Sequence, residues 1–330
     1  MLKKLIERED LSYEEAYELF NRFKVEKEVK IAAYLAALQT KGFTSEELAG
    51  FARAMRDNSI KLRIDGEKMD TCGTGGDGIG TINVSTASAI ILSCFSHVAK
   101  HGNRSVTSKS GSADVIGELG INFSEKPEEA REMIERTNFT FLFAPAFHPA
   151  LKRIMPVRRK LGIETIFNVL GPLANPSEPE YQLIGVYSPE LCRIVARATS
   201  MLGVKRALIV HGGGLDEVAV HDSTLVYEVN KDRIESYKVS PEDAGIKRCN
   251  LKDLLVGDGK TSSKAILNVF SGNNGAIRDF IVLNSSYALY TAKKADDILD
   301  AKEMVEDAID EGSVLKKLEE IRSYSSRFVE

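Results

Sequence analysis

Between Gly73 and Gly80 the chain places five glycines in eight residues, bounded by a strand-like run at 67–70 and a helix-forming run at 85–92. Without a Cβ, such a stretch bends tightly and turns its N–H groups toward one point. A strand delivered into a helix through a loop of this kind is half of an α/β unit. Asn83, Ser85 and Thr86 stand at the expected helix start, where hydroxyls and unpaired N–H groups meet the positive end of the helix dipole. The arrangement suits an anion, most simply a phosphate. No Gly-Lys-Ser/Thr follows, as a Walker loop requires, and the context is not that of a dinucleotide fingerprint. On composition alone, an ordinary glycine-rich turn with an N-cap is the alternative.

The first sixty-odd residues read as helical. Ser12 with Glu15, and Thr44 with Glu47, have the spacing of capping boxes. Between them, residues 29–38 are apolar nearly all round, as in a helix buried on several sides or facing a partner, and Gly42 ends it. The character changes at about 62–66. From there, strand-like runs at 139–143, 182–187 and 207–211 alternate with helical stretches at 127–137 and 189–202. That alternation predicts an α/β sheet layer. Residues 225–229 and 234–238 flank a polar turn and form a hairpin candidate, and the tail from about Ala276 is helical again. A length of 330 residues predicts two cores, or one core with a large appendage.

Three further clusters carry chemistry. Lys100, His101, Gly102, Asn103 and Arg104 precede a run rich in small hydroxyl residues, Thr107, Ser108, Ser110 and Ser112, with Lys109 among them. A lysine at a strand end beside such residues clamps a phosphate, or else belongs to a solvated basic turn. His148-Pro149 precedes Arg158 by nearly three helical turns, with Pro149 suited to a first helical position. The spacing sets His148 and Arg158 near one helix face, where an arginine holds a carboxylate bidentately or forms a surface ion pair. Last, Asp216 and Glu217 follow three glycines at a strand end, a natural Mg²⁺ pair when substrate phosphates complete the shell, or simply turn residues.

Composition excludes several classes. A formal net charge of -4 leaves no basic field for non-specific nucleic-acid binding. The four cysteines, Cys72, Cys94, Cys192 and Cys249, have no zinc-ligand spacing and suit a reduced, cytoplasmic setting. No apolar run approaches the ~20 residues that cross a bilayer.

Taken together, these motifs resemble the anthranilate phosphoribosyltransferase family of tryptophan biosynthesis. Five blocks match in order: DTCGTGGDGIGTINVSTAS at 70–88; AKHGNR at 99–104 with SGSAD at 110–114; FAPAFHPALK at 143–152 with VRRKLG at 157–162; TIFNVLGPLANP at 165–176; and HGGGLDE at 211–217. The resemblance covers nearly the whole chain. It implies a small all-helical domain plus a larger α/β domain whose central sheet is mixed, mostly parallel and flanked by helices. It assigns 1–64, completed by about 148–175, to a dimerising helical domain, and 65–147 with 176–330 to the donor-binding domain. It implies Mg²⁺ as cofactor, a homodimer, and no nucleic-acid or membrane partner.

Carried over residue by residue, Gly73, Thr74, Gly75, Gly76, Asp77, Thr81, Asn83, Ser85, Thr86, Lys100, Asn103 and Ser112 bind phosphoribosyl pyrophosphate. Gly73, Asn103, His148 and Arg158 bind anthranilate, Arg158 through its carboxylate. Ser85, Asp216 and Glu217 hold the metal, and no residue is a dedicated acid or base. One departure is Glu164, where the family usually has arginine; another is Phe147, where it often has histidine. Two rivals share part of the pattern. A pyrimidine nucleoside phosphorylase has a similar Lys-His-Gly-x-Arg run but not the Asp216-Glu217 block. A non-enzymatic nucleic-acid-binding paralogue would have eroded substrate motifs.

Overall fold

The computed structural model describes residues 1–104 and 110–329, so Thr107, Ser108 and Lys109 of the basic cluster lie outside it. The chain opens with α1 (Leu2–Ile6), α2 (Tyr13–Phe23), α3 (Glu28–Lys41) and α4 (Ser45–Asp57). Both capping boxes form: the Ser12 and Thr44 hydroxyls accept from the N–H groups of Glu15 and Glu47, whose carboxylates accept in return. The apolar helix α3 buries Ile31, Tyr34, Leu35 and Leu38, and ends at Gly42.

Then β1 (Lys68–Gly73) leads into α5 (Val84–Leu92), followed by β2 (His97–Gly102), α6 (Ser112–Glu118), α7 (Pro127–Thr137) and β3 (Phe139–Phe143). Three short helices, α8 (Ala144–Phe147), α9 (Leu151–Leu161) and α10 (Phe167–Leu170), return the chain to the N-terminal bundle. β4 (Tyr181–Gly185), α11 (Pro189–Met201), β5 (Arg206–Gly212), β6 (Thr224–Asn230) and β7 (Arg233–Val239) complete the sheet. The helices α12 (Gly259–Phe270), α13 (Ala276–Thr291), α14 (Ile298–Asp310) and α15 (Ser313–Ser325) close the chain.

The seven strands lie in the order β3-β2-β1-β4-β5-β6-β7. All pairings from β3 to β5 are parallel, and β6 and β7 add an antiparallel hairpin. The chain winds outward from β1 to β3, then restarts on the other side at β4. The crevice between the C-terminal ends of β1 and β4 is therefore the topological switch point, where open α/β sheets bind ligands. Gly73 and Gly185 pair there.

Side-chain alternation divides the core between the two faces of the sheet. Leu183, Leu208 and Val210 face a cluster with α5, α13 and α15. Ile184, Ala207 and Ile209 face α11 and, beyond it, the N-terminal helices. The helical bundle therefore has no separate core. Phe167 of α10 joins it, packing on Phe20 and Phe51 at 6.3 and 6.1 Å between ring centres. Asn175, buried in the return segment, ties the parts together. Its Nδ2 donates to Asp70 Oδ2 on β1 and to the Ala99 carbonyl on β2, both at 2.8 Å, while Ser177 donates to its Oδ1.

Candidate active site

The glycine-rich loop leaves β1 at Gly73 and enters α5 with Asn83 as its N-cap, as its composition predicts. The loop after β5 folds back onto it. Gly75 N–H donates to Asp216 Oδ2 at 2.7 Å. This contact requires glycine on both adjoining strands. A Cβ on Gly73 would lie 2.2 Å from Asp216 Oδ2, and one on Gly185 would lie 1.5 Å from the Asp216 carbonyl oxygen. Sequence reading found the first glycine and missed the second, which stands in an unremarkable strand.

Asp216 is buried and Glu217 half-buried. Burial first, and then Asp77, push the Asp216 carboxyl up to about 7. Burial and the neighbouring Asp216 push Glu217 well above the usual carboxylate range. Lys100 offsets this only in part, and hard oxygen donors held desolvated beside one another suit a divalent ion. Among the described residues no three His, Cys, Asp or Glu side chains converge as a ready cage. That fits Mg²⁺, which takes one or two carboxylates and completes its shell with water and substrate phosphates.

Lys100 is 1 % exposed. Its ammonium donates to the Thr71 carbonyl at 2.7 Å and to Ser85 Oγ at 3.4 Å, so it lies beneath the loop with Ser85 as its link to the surface. Thr86 is buried, and its hydroxyl has no partner among the described residues. Thr81 forms a bridge with Leu255. Ser112 opens α6, and its hydroxyl donates to the Asn103 carbonyl at 3.4 Å.

The spacing of His148 and Arg158 predicts one continuous helix, but the chain breaks between them. His148 caps the end of α8, Pro149 lies in the following turn, and α9 begins only at Leu151. The two residues do not share a helix face. His148 Nε2 instead meets His101 Nε2 at 3.2 Å. His101 Nδ1 lies 3.1 Å from the Gly171 carbonyl and must donate to it, so His101 Nε2 accepts and His148 Nε2 donates. Burial lowers His101 to about 4 and His148 well below its ordinary range. Both rings are neutral near pH 7.

Arg158 is half-buried. Its Nη2 donates to Asn168 Oδ1 at 2.9 Å, its guanidinium lies over the Phe167 ring at 5.4 Å, and its Nε is buried without a partner among the described residues. Among the described residues no carboxylate pairs with it. Asn168 also accepts from Thr165 N–H at 3.1 Å, which fixes the turn after Glu164. Tyr187 spans from that turn to the glycine loop: its N–H donates to Thr74 Oγ1 at 3.2 Å and its hydroxyl to Glu164 Oε2 at 3.4 Å. β4 therefore stops at Gly185, before the expected end of the strand. Burial and Glu164 push the tyrosine up to about 12, so it remains a donor. Asn168 and Tyr187 were not foreseen.

Residues 1–59 match the helical bundle domain of the Glycosyl transferase family, and residues 65–315 match its a/b domain. The chain is 57% identical over 326 residues to the anthranilate phosphoribosyltransferase of Pyrococcus furiosus, covering 98% of this chain and 99% of that one. It is 54% identical over 325 residues to that of Methanococcus aeolicus, with the same coverage. The crystal structure of anthranilate phosphoribosyltransferase from Thermus thermophilus superposes with a TM-score of 0.93 at 36% identity, covering 98% of this chain and 99% of that one. The Saccharomyces cerevisiae enzyme in complex with PRPP (phosphoribosyl pyrophosphate) and Mg superposes at 0.91 and 28% identity, covering 99% of this chain and 97% of that one.

Proposed function

The chain belongs to the Glycosyl transferase family and, within it, to the anthranilate phosphoribosyltransferases, and on that premise we infer how its residues divide the reaction. It transfers the 5-phosphoribosyl group of phosphoribosyl pyrophosphate to the amine of anthranilate, giving N-(5-phosphoribosyl)anthranilate and pyrophosphate in tryptophan biosynthesis. The amine nitrogen bonds to C1 of the ribose as the C1–O bond to pyrophosphate breaks, with inversion, and the amine proton leaves afterwards. An aromatic amine is neutral near pH 7 and needs no strong base.

In this reading the loop from Gly73 to Asp77, with Thr81, Asn83, Ser85, Thr86 and Ser112, holds the donor through N–H and hydroxyl groups. Asn103 stands between the two substrates. Lys100 acts on the donor from beneath the loop through Ser85. Ser85, Asp216 and Glu217 are the residues that would hold Mg²⁺, which when bound neutralises charge on the departing pyrophosphate. Arg158 receives the anthranilate carboxylate, and the buried His148 backs that end of the site through His101. The bundle 1–64, with 148–175, is the dimerising unit in a cytoplasmic homodimer. The remainder, 65–147 and 176–330, is the donor-binding unit.

The observation that carries the acceptor assignment is the partly desolvated Arg158, which has a fixed orientation and, among the described residues, no carboxylate of its own. Its bidentate fork suits a planar aromatic acid. Arg158→Ala is expected to raise the KM for anthranilate at least tenfold, with the donor KM nearly unchanged, since a charged hydrogen bond contributes roughly 1.5–3 kcal/mol. Arg158→Lys keeps the charge without the fork and is expected to recover only part. An unchanged anthranilate KM in Arg158→Ala would remove the assignment.

A further inference from the structure

We propose that Ser262 is a positioning residue for donor binding: it orients the Asn83 carboxamide so that the NH₂ side faces the donor site. The proposal rests on the reading of Asn83 as a donor-binding residue. Ser262 belongs to the first turns of α12 and is fully buried, 179 residues along the chain from Asn83. Its Oγ accepts from Asn83 N–H at 3.1 Å and donates to Asn83 Oδ1 at 3.2 Å. Ser110 Oγ donates to the same Oδ1 at 3.0 Å.

A carboxamide oxygen has two lone pairs, and both are taken by these hydroxyls. Asn83 Nδ2 meets no acceptor among the described residues. The side chain is only partly buried, so its two N–H groups are what it offers at the start of α5. A group restricted to donating recognises the oxygens of a phosphate or of a ribose. Flipping the amide would take from the buried Ser262 hydroxyl the acceptor its O–H has among the described residues, and would aim a carbonyl at an anionic ligand.

The segment before α12 holds this arrangement rigidly. Ile82 N–H donates to the Leu254 carbonyl and Val256 N–H to the Gly80 carbonyl, both at 3.1 Å. The Asp258 carboxylate caps α12 by accepting from Thr261 N–H at 2.8 Å, one residue before Ser262. The end of the glycine loop is thus braced along its length by residues 254–262.

The test is a double-mutant cycle of Ser262→Ala and Asn83→Ala, read as the Kd for phosphoribosyl pyrophosphate by calorimetry and as the KM values for donor and acceptor. Ser262→Ala is expected to weaken the donor roughly tenfold and to leave the anthranilate KM nearly unchanged. In the Asn83→Ala background, where no carboxamide remains to orient and only the bond from the residue-83 N–H is left to lose, the same substitution is expected to cost clearly less. An unchanged donor Kd in Ser262→Ala would overturn the proposal, as would an equal loss in both backgrounds, which is what a merely structural serine produces. Donor binding is measured without turnover, so a failure of the acceptor assignment leaves this result readable.

Discussion

His101 and His148 form a buried ring pair whose protons are set by one carbonyl, and this gives the molecule a defined response to acid. The His101 imidazole, ordinarily near 6.5, is lowered to about 4 by burial. A base with a depressed folded-state pKa contributes stability that is complete above the unfolded value and lost as pH falls. Between about pH 6.5 and about pH 4 the chain is expected to lose roughly 3 kcal/mol through this group. Urea unfolding across that window checks it; His101→Asn, which gains no proton there, should lose less. A loss as large in the variant would place the acid sensitivity elsewhere. At this scale the sequence was legible where function depends on local pattern. The glycine loop, Asn83 at the helix start and the Asp216-Glu217 pair are each contiguous with the backbone turn that presents them. What could not be read depends on contacts across the fold. Ser262 reaches Asn83, and Asn175 reaches Asp70 105 residues away, through short polar side chains common in any loop. Lys100 reads as a surface clamp because strand ends are usually exposed, yet the glycine loop covers it.

At the scale of elements, the best-determined joint is the start of α4. The Glu47 carboxylate is completely buried and accepts from Leu11 N–H at 2.9 Å, Thr44 N–H at 2.8 Å and Lys41 Nζ at 2.9 Å. Glu47→Ala is expected to destabilise the chain by roughly 3 kcal/mol, because it leaves two N–H groups without their acceptor and Lys41 with only the exposed Asp10. Asp10→Ala, which removes the exposed partner of the same lysine, is expected to cost about 1 kcal/mol or less. Denaturant midpoints compare the two directly; equal costs would mean the cap is not what holds α4. The Ser-x-x-Glu and Thr-x-x-Glu spacings made these helix starts readable, and alternation did the same for β3, β5 and the hairpin of β6 and β7. The helix carrying Arg158 was misread at its start. Pro149 suits a first turn, but the chain uses it to separate α8 from α9.

The whole molecule is organised by the restart of the sheet at β4. This brings Gly73 and Gly185 side by side and lets the acidic loop after β5 close over the glycine loop after β1. The bundle that supplies Arg158 shares its core with the face of the same sheet, through α11. Tyr187 and Glu164 link the glycine loop to the turn beside that arginine. Glu164 therefore does more than replace a cation: it accepts a hydrogen bond that joins the two halves of the site. The length predicts two cores, or one with a large appendage; two large clusters form, one on each face of the sheet, and the bundle belongs to the second, through α11. The central claim is that these halves together transfer the ribosyl group to anthranilate. Its most direct test is the loss of anthranilate fluorescence in the presence of purified protein, phosphoribosyl pyrophosphate and Mg²⁺, with each component omitted in turn. Loss that requires every component is the expected result; persistent fluorescence in the complete mixture, with the donor bound, would contradict the acceptor half of the account.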